Sequence, residues 1–347
     1  MWAAVTEGVG TMAVLDRPPP PAPGRSEVLL APEAVGICGS DYHFFAGELS
    51  DAAGGSQFPR VLGHEVAAKI AAVGADCRAE LAPGQRVALW PLRACGDCYP
   101  CSLQRPGACE NFELTGIHVD GGMQERLTVA EDQVFPIAVD SPAVASLAEP
   151  MSIAVRAVTR GRIVASERVV VLGAGPIGQC VCVAARARGA EVLMVDLQQR
   201  RLDVSRELGA SETLLWTTLD EVVHRARSWA GPSGPPVAVD ATGVPLAVRA
   251  MVELLCTAGR AVQVGMSNHE VALRIGSFTE KELDLLGVSC CGEAEFAEAV
   301  AIVERHASLL ARLISHEFPL AQAPEALRFA IENPNEVMKV VIRGVGV

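Results

Sequence analysis

Cys95, Cys98, Cys101 and Cys109 fall within one short stretch, CGDCYPCSLQRPGAC. Four thiolates spaced C-x2-C-x2-C-x7-C can close a tetrahedron around zinc. Gly96, Pro100, Pro106 and Gly107 let the chain turn tightly enough to do so. A closed site of this kind leaves no position for substrate, so its role is structural. An iron–sulfur cluster uses similar local spacing, and four free thiols are a third reading. The stretch GAGPIG carries a different chemistry. Gly173, Gly175 and Gly178, with Pro176 and Ile177 between, give G-x-G-x-x-G between an apolar strand pattern and a helix pattern. The first glycine permits a tight turn, the second lets a pyrophosphate approach the backbone, and the third lets the helix pack close. Asp196 ends the next apolar run, where a carboxylate accepts bonds from ribose hydroxyls and repels a 2′-phosphate. The expected cofactor is NAD rather than NADP. Arg200 and Arg201 lie just beyond and could serve a 2′-phosphate. Asp196 outweighs them, and Arg201 stays a cofactor-binding candidate.

Three further places hold polar residues in apolar or glycine-rich surroundings. They are the segment 36–43 with Cys38, Ser40, Asp41 and His43; the pair His64 and Glu65; and Glu149 before Pro150. One Cys, one His and one or two carboxylates could bind zinc and leave a position open for water or substrate. The alternative is that Cys38 is core and His64–Glu65 a satisfied surface pair. Spacing alone does not choose, because the segments are far apart in the chain.

These residues need elements to position them. Residues 1–150 read as short strands, 28–30, 35–37, 66–73 and 86–89, with long loops and no helical periodicity before Ala143. PPPPAP at 18–23 is an extended surface turn. Residues 142–160 have helix composition. Strand, glycine turn, helix and strand follow between 168 and 196, a βαβ unit. A helix at 200–208, a strand at 237–240, a helix at 246–255 and a strand at 260–264 continue the rhythm. A parallel sheet is expected over about 168–287. The tail, with helices near 294–309 and 323–332 and a strand at 337–343, could belong to either half.

The length of 347 residues suggests two domains at ~150 residues each. Half the residues are hydrophobic and 20% charged, which excludes a disordered chain. The formal net charge of -12 argues against a nucleic-acid partner. The start, MWAAVTEGVG, lacks a basic segment followed by an apolar core, and apolar runs break before 18 residues. Neither a signal peptide nor a membrane partner is expected. Eleven cysteines, an odd number with four clustered, point to metal in a reducing compartment and so to a cytoplasmic protein. Cys180, Cys182 and Cys256 read as core.

The segments GICGSDYHFF, VLGHEVAAKI, CGDCYPCSLQRPGAC, AEPMSIAVRA, VVVLGAGPIGQ and ENPNEVMKVVI resemble the zinc-containing medium-chain alcohol and polyol dehydrogenases, most closely the sorbitol dehydrogenase-like branch. The resemblance implies an α/β and β architecture. A Rossmann-type doubly wound parallel sheet over 151–287 would bind NAD. A GroES-like β-rich catalytic domain would comprise 1–150 and 288–347, with a structural-zinc loop at 92–112. It implies Cys38, His64 and Glu65 as ligands of a catalytic zinc, with Glu149 ligating it or its water. Ser40 and His43 would form a proton relay through the nicotinamide ribose, and Asp41 would orient the histidine ligand. The implied reaction is zinc-assisted hydride transfer between NAD and a secondary alcohol of a polyol, cyclitol or vicinal diol. L-threonine 3-dehydrogenase-like oxidation of an amino alcohol is the alternative, and a non-enzymatic relative of the fold is a third possibility. A homodimer or homotetramer is implied. Two departures from the branch are Phe44, where a tyrosine is usual, and GVSCCGEAEF around residue 290, where an arginine is usual. That segment suggests a pocket less basic than in sorbitol-type enzymes, with negative charge from Glu293 and Glu295.

Overall fold

A computed structural model describes residues 1–48 and 57–344. The chain divides into two compact units, Met1–Glu149 with Cys291–Val347, and Pro150–Cys290.

The second unit is a six-stranded parallel sheet. Its order is Glu212–Leu215, Glu191–Asp196, Arg168–Leu172, Val237–Asp240, Arg260–Gln263, Asp284–Gly287. Counted along the chain this is 3-2-1-4-5-6, with the order reversing between the strands 168–172 and 237–240. The central strands are runs of Val, Leu, Ala and Met, as expected where helices cover both faces of such a sheet. Val169, Val170, Val171 and Leu172 are all buried, and each such side chain contributes ~1.5–3 kcal/mol by leaving water. The strand Glu212–Leu215 and helix Leu219–Ala230 complete a repeat that the sequence pattern leaves unmarked.

The first unit is β-rich. Its seven-stranded sheet runs Val134–Pro136, Arg86–Leu89, Glu65–Val73, Glu27–Gly36, Lys339–Arg343, Ile314–Pro319, with Leu127–Ala130 also pairing with Glu27–Gly36. The closing strand Lys339–Arg343 thus inserts beside Glu27–Gly36, antiparallel to it, and parallel to Ile314–Pro319. Two expectations change here. The pieces 28–30 and 35–37, which Pro32 separates in the sequence reading, belong mostly to one strand, Glu27–Gly36. The register shifts between Pro32 and Ala34, so a bulge absorbs the proline and pairing continues. Segment 39–46, read as loop, is the helix Gly39–Ala46. Eight residues are too few to display a helical period against the surrounding turns.

Among the described residues, no helix is long and apolar enough to cross a membrane.

Candidate active site and cofactor cavity

Strand pairing builds the first constellation. Gly36 lies opposite Glu65 in the antiparallel pair of Glu27–Gly36 and Glu65–Val73. That register carries the segment after Gly36, with Cys38, up to His64 and Glu65. One ligand atom each from Cys38, His64 and Glu65 lies within 4.8 Å of the other two. Cys38 caps the helix Gly39–Ala46 in an extended conformation, and its N–H donates to Asp41 Oδ2 at 2.8 Å. A thiolate at a helix N-terminus gains from the exposed amides there.

Asp41 is fully buried, and its Oδ1 stands 3.7 Å from His64 Nδ1. Neither of those two atoms has a hydrogen-bond partner among the described residues. The carboxylate therefore faces the imidazole on one side and leaves Nε2 for a ligand on the other. Ser40 Oγ is 3.4 Å from that Nε2. Burial alone would lower the His64 pKa, but the Asp41 carboxylate, Cys38 and Glu149 outweigh it and hold the imidazole well above its ordinary range. Glu149, second residue of the helix Ala148–Arg160, is also buried. Its burial, reinforced by Glu65 and Asp41, pushes its carboxyl up to about 7 against the pull of His64 and Lys339. Glu149 is not in the set of ligand atoms within 4.8 Å. His43 lies one turn beyond Ser40 on the same helix, half exposed, with Nδ1 3.5 Å from Glu48.

The sequence reading missed Lys339. Its Nζ donates to both oxygens of Glu65, at 2.7 and 2.8 Å, and to the Ile37 carbonyl at 3.1 Å. Lys339 and Glu65 are both buried. Burial alone would depress the lysine's pKa, but Glu65 overrides it and holds the ammonium above its ordinary range. The only signal was a lysine opening the apolar run VVI of a strand. Gly36 makes room for the pair, since a Cβ there would lie 2.0 Å from Glu65 Oε2. The donor set of thiol, imidazole and carboxylate from Cys38, His64 and Glu65, with Asp41 and Glu149 acting on the imidazole, fits a divalent zinc ion.

Cys95, Cys98, Cys101 and Cys109 form the second cluster, each Sγ within 4.8 Å of the others. Backbone N–H groups of Glu110 and Cys101 hold the Cys98 thiol down at about 7, whereas a bond with the Asp97 side chain pushes Cys95 up to about 12. The cluster offers four thiols from one short loop, the donor set of a structural zinc site.

The cofactor candidates lie in the second unit. A cavity of about 420 Å³ at the strand ends is lined by Gly173, Gly175, Asp196, Arg201 and Trp216, among others. Pro176, Ile177 and Gly178 are not on its wall. Pro176 is the first residue of the helix Pro176–Ala187, and Gly178 allows the close packing, since a Cβ there would meet the Gly173 carbonyl at 1.8 Å. Asp196 Oδ2 accepts from Ala174 N at 2.7 Å and Oδ1 from Gln198 N at 2.8 Å. The carboxylate is thereby fixed in the cavity wall. Arg201 brings its guanidinium to about 4 Å from where a Gly175 side chain would begin, whereas Arg200 is exposed and off the wall. Buried Gln179, also missed, ties the glycine turn to the Arg201 segment by donating to the Ala174 and Arg201 carbonyls.

The residues at which the chain departs from the branch pattern are placed as follows. Phe44 is core, edge-on to Phe58 at 5.2 Å. Glu295 accepts from Gly292 N at 2.7 Å and caps the helix Glu293–Leu310. Glu293 is exposed on the first turn of that helix, and Cys291 is buried.

A doubly wound sheet with a dinucleotide cavity, a three-donor metal centre and a four-thiol cluster define a zinc-dependent, NAD(P)-linked oxidoreductase. Residues 24–139 match the alcohol dehydrogenase GroES-like domain and residues 176–305 the zinc-binding dehydrogenase domain. L-galactonate-5-dehydrogenase of Escherichia coli (strain K12) is 33% identical over 327 residues, 93% of each chain. Sorbitol dehydrogenase of Bacillus subtilis (strain 168) is 29% identical, over 93% of this chain and 92% of its own. The crystal structure of a zinc-binding dehydrogenase from Sinorhizobium meliloti 1021 bound to NADP superposes with a TM-score of 0.88 at 30% identity, covering 99% of this chain and 98% of that one. The chain belongs to the zinc-containing medium-chain alcohol dehydrogenase family, in its polyol dehydrogenase-like part.

Proposed function

We propose that the enzyme transfers a hydride between NAD and a secondary alcohol of a polyol, cyclitol or vicinal diol. The observation that carries this reading is the convergence of Cys38, His64 and Glu65 within 4.8 Å, backed by buried Asp41. These residues, with Glu149 beside them, would hold the catalytic zinc. Cys95, Cys98, Cys101 and Cys109 would hold the structural one. When bound, the catalytic zinc supplies a Lewis acid that polarises the substrate oxygen and eases loss of the hydroxyl proton. Asp41 fixes the His64 ring so that Nε2 points to the site. Ser40, 3.4 Å from that nitrogen, accepts the hydroxyl proton as it gives up its own toward His43, and half-exposed His43, one turn on, releases a proton to water. In the oxidative direction the carbinol carbon gives its hydride to the nicotinamide, the hydroxyl proton leaves through Ser40 and His43, and a ketone results.

Asp196 supports NAD over NADP, because a 2′-phosphate would meet a carboxylate already fixed in the wall. Glu295 is engaged in capping its own helix and Glu293 is exposed, so the threonine-type reading draws mainly on the shared zinc motifs. A second reading, oxidation of a sugar acid, draws on the resemblance to L-galactonate-5-dehydrogenase. Initial rates with NAD and NADP on sorbitol, xylitol, inositols, 2,3-butanediol, L-galactonate and L-threonine separate these readings. Activity with NAD on the neutral polyols supports the proposal. Activity confined to the aldonate supports the second reading, and activity confined to threonine overturns both. The strand Asp284–Gly287 ends the parallel sheet with half-exposed Leu285, an edge that suits a homodimer or homotetramer. Light scattering tests this. Eleven cysteines with four clustered in metal-site spacing fit a reducing compartment better than a disulfide framework, and we place the enzyme in the cytoplasm.

A further inference from the structure

We propose that Asp240 is a positioning residue for the dinucleotide, fixing one wall of the cofactor cavity without lining it. This rests on the cofactor reading of that cavity. Asp240 ends the strand Val237–Asp240, next to the strand Arg168–Leu172 at the point where the sheet order reverses. It is fully buried, yet its carboxylate serves no group in the metal centre. All four of its hydrogen-bond partners are donors. Oδ1 accepts from Thr242 Oγ1 at 2.6 Å and Thr242 N at 3.2 Å. Oδ2 accepts from Gly243 N at 2.8 Å and Gln263 Nε2 at 2.6 Å.

The segment so held is the cavity wall. Ala241, Thr242, Val244, Leu246 and Ala247 line it, opposite Asp196 and Arg201. The connection continues outward, because Val244 N donates to Thr242 Oγ1 at 3.0 Å and Val244 precedes the helix Pro245–Leu254. It also runs sideways. Gln263 lies in register with Asp240 on the neighbouring strand and donates to the Gly265 carbonyl at 2.7 Å. Gly243, at φ +70, packs so closely that a Cβ would meet the Met266 carbonyl at 2.2 Å. The arrangement mirrors Asp196, which ends the strand on the other side of Arg168–Leu172 and accepts from Ala174 and Gln198 amides. Two strand-end aspartates thus pin the two walls, Asp196 touching the cavity and Asp240 acting from behind. A buried carboxylate is costly unless fully satisfied. Here every donor that satisfies it comes from the wall or from the strand bracing it.

Asp240→Asn preserves volume but puts an NH2 group where an acceptor stood. Whichever way the amide turns, a backbone N–H of Thr242 or Gly243 faces a donor. Thr242→Val removes the hydroxyl link alone, and Thr242→Ser keeps it. The test is NADH affinity by calorimetry on the zinc-loaded full chain, with thermal unfolding, zinc content and steady-state constants measured alongside. Expected are a tenfold or greater rise in NADH Kd and in KM for NAD in Asp240→Asn and Thr242→Val. In Asp240→Asn zinc content, kcat at saturating NAD and KM for the alcohol stay within about twofold, and Thr242→Ser recovers the parent NADH affinity. If Asp240→Asn does not fold, the Thr242 pair decides. Parent-like NADH affinity in folded Asp240→Asn or in Thr242→Val overturns the proposal, as does an equal fall in kcat and alcohol affinity. Failure of the parent itself to bind NADH overturns the cofactor reading beneath it.

Discussion

The ion pair between Lys339 and Glu65 gives the sharpest stability prediction. Lys339→Met keeps an apolar stem of similar length but removes the ammonium that bonds both Glu65 oxygens. Glu65 is fully buried and Lys339 nearly so, so water cannot replace the lost partner. Breaking a buried pair by removing one member costs about 3–5 kcal/mol. At roughly 2–4 °C per kcal/mol for a unit of about 200 residues, the melting temperature of the first unit should fall by roughly 6–20 °C. The loss should be largest in protein stripped of metal, because bound zinc gives the Glu65 carboxylate a second counter-charge. Scanning calorimetry of the parent, Lys339→Met, Glu65→Gln and the double variant, each with and without zinc, measures this. The double variant leaves no unpaired buried charge, so it should be more stable than either single variant. A stability change below 1 kcal/mol in metal-free Lys339→Met, or a double variant as unstable as the sum of the singles, would refute the argument.

Other consequences follow from single contacts. Gly36→Ala drives a methyl into Glu65 Oε2, so zinc should fall from two to one per chain and turnover at least tenfold. Metal analysis showing two zincs would contradict the crowding. Cys101→Ser breaks the four-thiol cluster and should cost folding before chemistry, with a lowered melting temperature but NAD-linked turnover in the surviving folded fraction. Unchanged stability would mean that the thiols hold no metal. Partial burial would raise the Glu33 pKa, but bonds from Arg86 and Lys69 outweigh it and hold the carboxyl below 4.5. A lowered folded value means stability that is present above the unfolded value and lost as pH falls through the folded one. Glu33→Gln should therefore be less stable than the parent at pH 7, and the gap should narrow progressively as pH falls below 4.5 in acid-denaturation curves. A gap that stays constant throughout the acid range would contradict this.

The nucleotide-binding half was the more legible in sequence. Buried parallel strands are continuous apolar runs, and GAGPIG followed by Asp196 marks turn, helix and strand end within one local stretch. The four-cysteine cluster was legible for the same reason, since all its ligands share one loop. The metal centre was not legible from spacing. Cys38 and His64 are joined by the register that sets Gly36 opposite Glu65, a property of pairing rather than of either segment. Lys339 reaches the site from a strand 274 positions beyond Glu65, so no local pattern could announce it. The strand Ile314–Pro319 escaped notice because alternate residues are exposed and it carries Ser, His and Glu. Glu293 and Glu295 misled because their charge suggested a pocket, whereas Glu295 is satisfied by capping its own helix. Asp240 lay unmarked at the end of a short apolar strand, and only its four donors reveal its place.

The central claim is that Cys38, His64 and Glu65 hold the zinc on which alcohol oxidation depends. The most direct measurement is the rate of NADH formation by zinc-supplemented Cys38→Ala, on the best substrate of the parent. The account predicts a loss of at least a thousandfold while NADH binding stays near that of the parent. A variant that turns over at the parent's rate would contradict it.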